Sequence, residues 1–194
     1  MLTNIRAVLF DLDGTLIDSG LDFQQLRQDL GWPAGIGLLE YMAAIPCSKQ
    51  RAEAASAIHE FEMRGAVGAS WMPGARELIL RLQAAGIATG ILTRNSRPAY
   101  DASHKALGIP ITDVITREDA PAKPNPAGLL LLAERVSVKV ESAIYVGDFV
   151  YDLQAARAAG MRSCLYDTSG ESEFSAQADI CVQDFKQLAS IIFP

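Results

Sequence analysis

Asp11 and Asp13 stand two residues apart in the run AVLFDLDGTLIDS, from Ala7 to Ser19. In extended backbone that spacing projects both carboxylates to one side. Two carboxylates held together resist joint ionisation unless a cation sits between them or one keeps its proton, and either arrangement is useful in catalysis. Gly14 follows, and it lets the chain turn sharply and approach a ligand closely. Other groups of suitable chemistry lie further on: the Thr93 hydroxyl in ILTRNS, the Lys123 ammonium in AKPNP, and the Asp148 and Asp152 carboxylates in GDFVYD. Singly, each has a plainer reading. Asp-Gly pairs suit turns for conformational reasons, Thr93 suits a strand, Lys123 a solvated loop, and Asp148 or Asp152 a helix cap near a dipole.

The elements that must carry these residues follow from hydrophobic patterning. Ala7 to Phe10 is apolar without polar alternation, the pattern of a strand buried on both faces of a parallel sheet. Further strands are expected at Ile87 to Thr93, Ile111 to Thr116, Ser142 to Val146, Arg162 to Tyr166 and Ile180 to Val182. Helices are expected after Pro73 and Gly74, over Pro98 to Leu107, from Asn125 and Pro126, over Asp152 to Ala159 and over Phe185 to Ile192. This alternation of strand and helix argues for a doubly wound parallel α/β sheet with helices on both faces. Ligands of such sheets sit beyond the carboxyl ends of the strands, where all six residues fall.

Between Asp18 and Met72 the pattern is helical, with no strand expected. Asp22 can cap a helix carrying Phe23, Leu26 and Leu30, a second runs from Gly37 to Ala44, and a third from Ser48 to Arg64. Short helices cannot bury their apolar faces alone, so residues 18–72 are expected to form a small α-helical cap on a core domain of residues 1–17 and 73–194. Its hinges are expected at Leu16 to Gly20 and Ala66 to Gly74. Trp32 and Trp71 are expected to anchor the cap to the core, His59 and His104 to be structural, and Arg27, Lys49, Arg51 and Arg64 to form a solvated face.

Composition bounds the function. At 194 residues and 49% hydrophobic the chain can bury a sizeable core, while a net charge of -6 argues against nucleic acid as a partner. No run of about 18 apolar residues suggests a membrane span, and MLTNIRAVLF lacks the parts of a leader, so a cytoplasmic protein is expected. The three cysteines, Cys47, Cys164 and Cys181, show neither disulfide nor zinc spacing.

DLDGT at Asp11 to Thr15, Thr93, Lys123 and GDFVYD together resemble, in order and rough spacing, the motifs of the haloacid dehalogenase superfamily of aspartate-nucleophile phosphatases. The insert resembles the small cap of its phosphoglycolate-phosphatase-like branch. The resemblance implies a HAD-like Rossmannoid fold and a Mg2+-dependent phosphatase acting on a small phosphorylated metabolite through an aspartyl phosphate. It implies Asp11 as nucleophile, Asp13 as general acid and base, and Thr93 and Lys123 as holders of the phosphoryl group. Magnesium would be bound by Asp11, Asp148 and the main-chain carbonyl of Asp13, with Asp152 supporting. A metal is also what the chemistry demands, because a phosphate monoester brings negative charge to a carboxylate. The acid at Asp13 speaks against haloalkanoate dehalogenase and phosphonoacetaldehyde hydrolase activity. A sugar phosphomutase shares both aspartates, and a receiver-like signalling module is the rival from outside enzymology, though GDFVYD has no counterpart there.

Overall fold

The computed structural model describes residues 5–193. Six strands form one parallel sheet: β1 (Ala7–Phe10), β4 (Ala88–Leu92), β5 (Val114–Ile115), β6 (Ala143–Gly147), β7 (Arg162–Tyr166) and β8 (Ile180–Val182). Their order is β5-β4-β1-β6-β7-β8. β1 is central, with Phe10 opposite Ile91 on one side and Val146 on the other. The chain first builds outwards through β4 and β5, then crosses back to place β6 against the other edge of β1. The topological switch point therefore lies at the end of β1.

Alternation of side chains sends Val8 and Phe10 to one face and Ala7 and Leu9 to the other. The first face packs against α4 (Ala75–Ala84), α5 (Arg97–Leu107) and α8 (Phe185–Ile192) through Leu78, Ile79, Tyr100 and Leu188. The second packs against α6 (Ala127–Arg135) and α7 (Val150–Ala158) through Leu129, Leu132, Ala155 and Ala156. This is the expected α/β doubly wound sheet. Strand β5 is shorter than Ile111 to Thr116. Ile109 and Ile111 are nevertheless buried, because apolar burial on this edge is achieved from irregular backbone.

The insert holds α1 (Phe23–Asp29), α2 (Leu38–Ala43) and α3 (Ser48–Gly68). Asp22 caps α1, its side chain accepting from the Gln25 N–H at 2.8 Å. Two expectations for this region are corrected. Strand is present, since β2 (Ile17–Asp18) pairs antiparallel with β3 (Ser70–Trp71) at the base of the insert. Two-residue strands carry no legible alternation, which is why they escape a pattern search. The last helix also runs past Arg64 to Gly68, because Gly65 packs on Leu21; a Cβ there would stand 2.5 Å from the Leu21 side chain. Gly65 and Ala66 are thus packing residues of a helix, and irregular backbone begins later.

The cap encloses its own apolar cluster of Leu26, Leu38 and Ile58, joined by Trp32 and Phe61. Trp32 packs within the cap, against that cluster and tilted on Tyr41 at 4.7 Å, and not, as expected, as an anchor to the core. Trp71 does reach the core, donating its indole N–H to the Leu107 carbonyl at 3.4 Å. Among the described residues no helix is long and apolar enough to cross a membrane.

Candidate active site

Asp11 follows the last residue of β1, and its backbone N–H bonds the Val146 carbonyl of β6 at 2.8 Å. Thr93 follows β4 and Asp148 follows β6, so three adjacent strands deliver three polar side chains to one end of the sheet. Between Asp11 and β2 the chain makes a tight turn, with Leu16 N–H on the Leu12 carbonyl at 2.8 Å. Gly14 sits in that turn at φ 75°, and a Cβ on it would lie 2.2 Å from Asp148 Oδ2. Glycine is required here twice over, by the left-handed backbone and by the carboxylate pressed against it. Asp11, Asp13, Thr93, Lys123, Asp148 and Asp152 all line a single cleft of about 380 Å³ between sheet and cap.

Lys123 reaches the cleft from the loop before α6 and is 2% exposed. Its ammonium lies 2.6 Å from Asp11 Oδ1 and 2.6 Å from Asp152 Oδ1, and donates to the Tyr145 hydroxyl at 2.9 Å. Tyr145 in turn donates to the Leu92 carbonyl at 3.0 Å. All three ammonium protons have acceptors. Burial works to lower the lysine's pKa, but the Asp11 and Asp152 charges overcome it and hold the value raised. Asp152 accepts with its other oxygen from the Phe149 N–H at 3.0 Å. It therefore caps α7 and orients Lys123 at once.

Desolvation dominates the carboxylates. Burial pushes Asp11 up to about 7 against the pull of Lys123, with Asp152 and Asp13 adding repulsion. Burial, then Asp11 and Asp152, push Asp148 up to about 8. Asp13 is raised by burial too, opposed by hydrogen bonds from Ser19 and Asn95; the Asn95 side-chain amide donates to Asp13 Oδ2 at 2.6 Å. Thr93 is buried, and its hydroxyl accepts the Asn95 N–H at 3.1 Å.

Oxygens of Asp11, Asp148 and Asp152 lie within 4.8 Å of one another. Three carboxylates with a single ammonium among them leave a local excess of negative charge, and hard oxygen donors at this spacing suit a divalent cation such as magnesium. The donor set fits that ion. Asp152 is the least free of the three, since Lys123 and the α7 N-terminus already engage its two oxygens.

Several residues at the cleft or behind it carry no signal in the sequence. Asn95 sits in a polar group that marks a strand boundary, and Tyr145 is patterned as one more apolar strand residue. The cap contributes Glu62, 3% exposed on α3, whose carboxylate pairs with Arg117 and accepts from the Ser96 hydroxyl at 3.0 Å. A second cap carboxylate, Glu40, accepts from Arg94 Nη2 at 2.8 and 2.7 Å. Arg27, expected on a solvated face, is half-buried and lines the cleft, whereas Lys49, Arg51 and Arg64 are exposed as expected. His59 stands 3.5 Å from the Ser96 hydroxyl, away from the aspartates, and His104 stacks on Tyr100.

Comparison with known proteins follows the same lines. Residues 5–160 match the model of the haloacid dehalogenase-like hydrolase family. A haloacid dehalogenase-like hydrolase domain-containing protein of Arabidopsis thaliana is 30% identical, the alignment covering 98% of this chain and 84% of the relative. A phosphoglycolate phosphatase of Xanthomonas campestris is 32% identical, with 94% of each chain covered. Among solved structures, a haloacid dehalogenase-like hydrolase from Bacteroides fragilis superposes with a TM-score of 0.77 at 25% identity, covering 95% of this chain and 99% of that one.

Proposed function

The chain belongs to the haloacid dehalogenase-like hydrolases, and from that premise we propose that it is a cytoplasmic, magnesium-dependent phosphatase of small phosphate monoesters, working through an aspartyl phosphate on Asp11. Similarity to phosphoglycolate phosphatases supports a small phosphorylated metabolite as substrate class. The observation that carries the reading is the split environment of Asp11 and Asp13. Burial raises both carboxyls, but Asp11 is paired with a buried ammonium at 2.6 Å while Asp13 is turned to an amide. Two carboxyls in different environments are how a site divides nucleophile from acid.

Asp11, Asp148 and the Asp13 carbonyl would hold magnesium, with Asp152 behind them. When bound, the ion neutralises the repulsion between carboxylate and phosphate. The Asp11 carboxylate forms a bond to phosphorus as the bond from phosphorus to the leaving oxygen breaks. Protonated Asp13 gives its proton to that oxygen, and a neutral alcohol departs. A water then attacks phosphorus, Asp13 takes its proton, and the phosphorus–oxygen bond to Asp11 breaks to give inorganic phosphate. Lys123 and the Thr93 hydroxyl position the phosphoryl oxygens and compensate their charge. Lys123 also fixes the rotamer of Asp11.

Hydrolysis of p-nitrophenyl phosphate by wild type and Asp11→Asn, with magnesium and with excess chelator, tests the reading. Wild type is expected to turn over with magnesium and the variant to retain less than about a hundredth of that rate. Turnover of Asp11→Asn within tenfold of wild type, or full activity in chelator, would contradict it.

A further inference from the structure

Resting on the phosphatase reading, we infer that the leaving group is an apolar, ring-bearing alcohol, a class apart from the two-carbon acid named for the Xanthomonas relative. Size is the first argument. A cleft of about 380 Å³ falls in the range of small-molecule sites, more than a phosphoryl group and two carbons would fill.

The walls are the second argument. Beside the polar Gln24, Arg27, Glu62 and Arg94, the cleft has apolar walls of Phe23, Leu38, Leu39 and Ile58 from the cap and Phe149 and Tyr151 from the core. Phe149 is 45% exposed and Phe23 is 39% exposed, so each leaves open aromatic surface at the site. Neither ring is free to drift. Phe149 is held edge-on by Tyr151 at 5.2 Å and by Phe174 at 5.3 Å, and Phe23 by Phe61 at 5.5 Å. Such fixed faces are built to receive another ring.

The third argument concerns cations. Lys123 is committed to Asp11 and Asp152. Arg94 lies with its guanidinium over the Tyr151 ring at 4.8 Å; one terminal nitrogen donates to the Lys123 carbonyl and the other to both Glu40 oxygens. At Arg94 a substrate carboxylate would meet Glu40 already in place, while Arg27, which donates to the neutral Ile36 carbonyl at 2.8 Å, keeps its charge.

The test compares kcat/KM of the intact protein with magnesium for benzyl phosphate, ethyl phosphate and 2-phosphoglycolate, with p-nitrophenyl phosphate as reference. Burial of the ring is expected to favour benzyl over ethyl phosphate by at least tenfold, and benzyl phosphate over phosphoglycolate by a similar factor. Phe149→Ala should cut the benzyl-to-ethyl ratio at least threefold. Glu40→Gln should raise kcat/KM for phosphoglycolate several-fold, relative to benzyl phosphate, by releasing Arg94. Preference for phosphoglycolate, or an unchanged ratio in Phe149→Ala, overturns this inference while p-nitrophenyl phosphate turnover leaves the phosphatase reading standing. Hydrolysis of none of the four esters would overturn both.

Discussion

Lys123→Met keeps the length and most of the volume of a side chain that is 2% exposed and removes its charge. Asp11 and Asp152, each 2.6 Å from the ammonium, are then left as buried carboxylates without a counter-charge. Losing one partner of a buried pair costs about 3–5 kcal/mol. In a chain of this size each kcal/mol lowers Tm by about 2–4 °C, so a fall of about 6–20 °C is expected near neutral pH. The pH dependence has a definite sign. Asp11 near 7 and Asp148 near 8 lie above their ordinary 3.8, so the folded protein binds these protons more tightly than the unfolded chain. Their destabilising effect is absent below about pH 4 and grows as pH rises through 7 to 8. Without the lysine Asp11 loses the attraction that now lowers it and moves higher still. The deficit of Lys123→Met should thus be largest at pH 8 and smaller at pH 5, where protonation of Asp11 removes its part of the unpaired charge. Denaturant unfolding in chelator at the two pH values reads it directly. A deficit below 1 kcal/mol, or one equal at both pH values, would refute this account of the buried charge cluster.

The same carboxylates make metal-free wild type lose stability between pH 5 and pH 8, by a few kcal/mol at about 1.4 kcal/mol per pKa unit. Magnesium should raise Tm more at pH 8 than at pH 5, and Asp148→Asn should abolish most of that gain. Gly14→Ala places a methyl 2.2 Å from Asp148 Oδ2 at a positive φ; magnesium-dependent turnover should fall at least tenfold, with about 1–3 kcal/mol lost in unfolding. Glu62→Ala leaves Arg117 without its cap partner and should cost about 1–3 kcal/mol, with KM rising more than kcat falls because cap and core no longer meet at this point. Unchanged KM would show that the contact does not bear on substrate.

The sequence made the sheet and the catalytic end legible for a physical reason. β1, β4 and β6 are buried almost throughout, so burial leaves little choice of residue, and their ends carry polar groups. Asp11, Asp13, Thr93, Asp148 and Asp152 follow those ends, Lys123 comes from the loop before α6, and the cleft gathers all six. Contacts between distant segments were not legible. Tyr145 serves Lys123 by pointing its hydroxyl through an apolar layer, which no periodicity distinguishes from another buried aromatic. Glu62 and Glu40 belong to helices whose charged residues are mostly solvated; only the meeting of cap with Arg117 and Arg94, 55 and 54 residues away, singles them out. The α3 C-terminus was misjudged because small residues serve a hinge and a close helix contact equally well, and Leu21 decides between them.

The central claim, covalent catalysis at Asp11, is tested most directly by quenching wild type in acid during turnover, reducing with borohydride and sequencing the tryptic peptides by mass spectrometry. An aspartyl phosphate is reduced to homoserine. Homoserine at position 11, dependent on substrate and magnesium and absent from Asp13 and Asp148, is the expected result. Steady turnover with position 11 unmodified and homoserine at another of these aspartates would contradict the assignment.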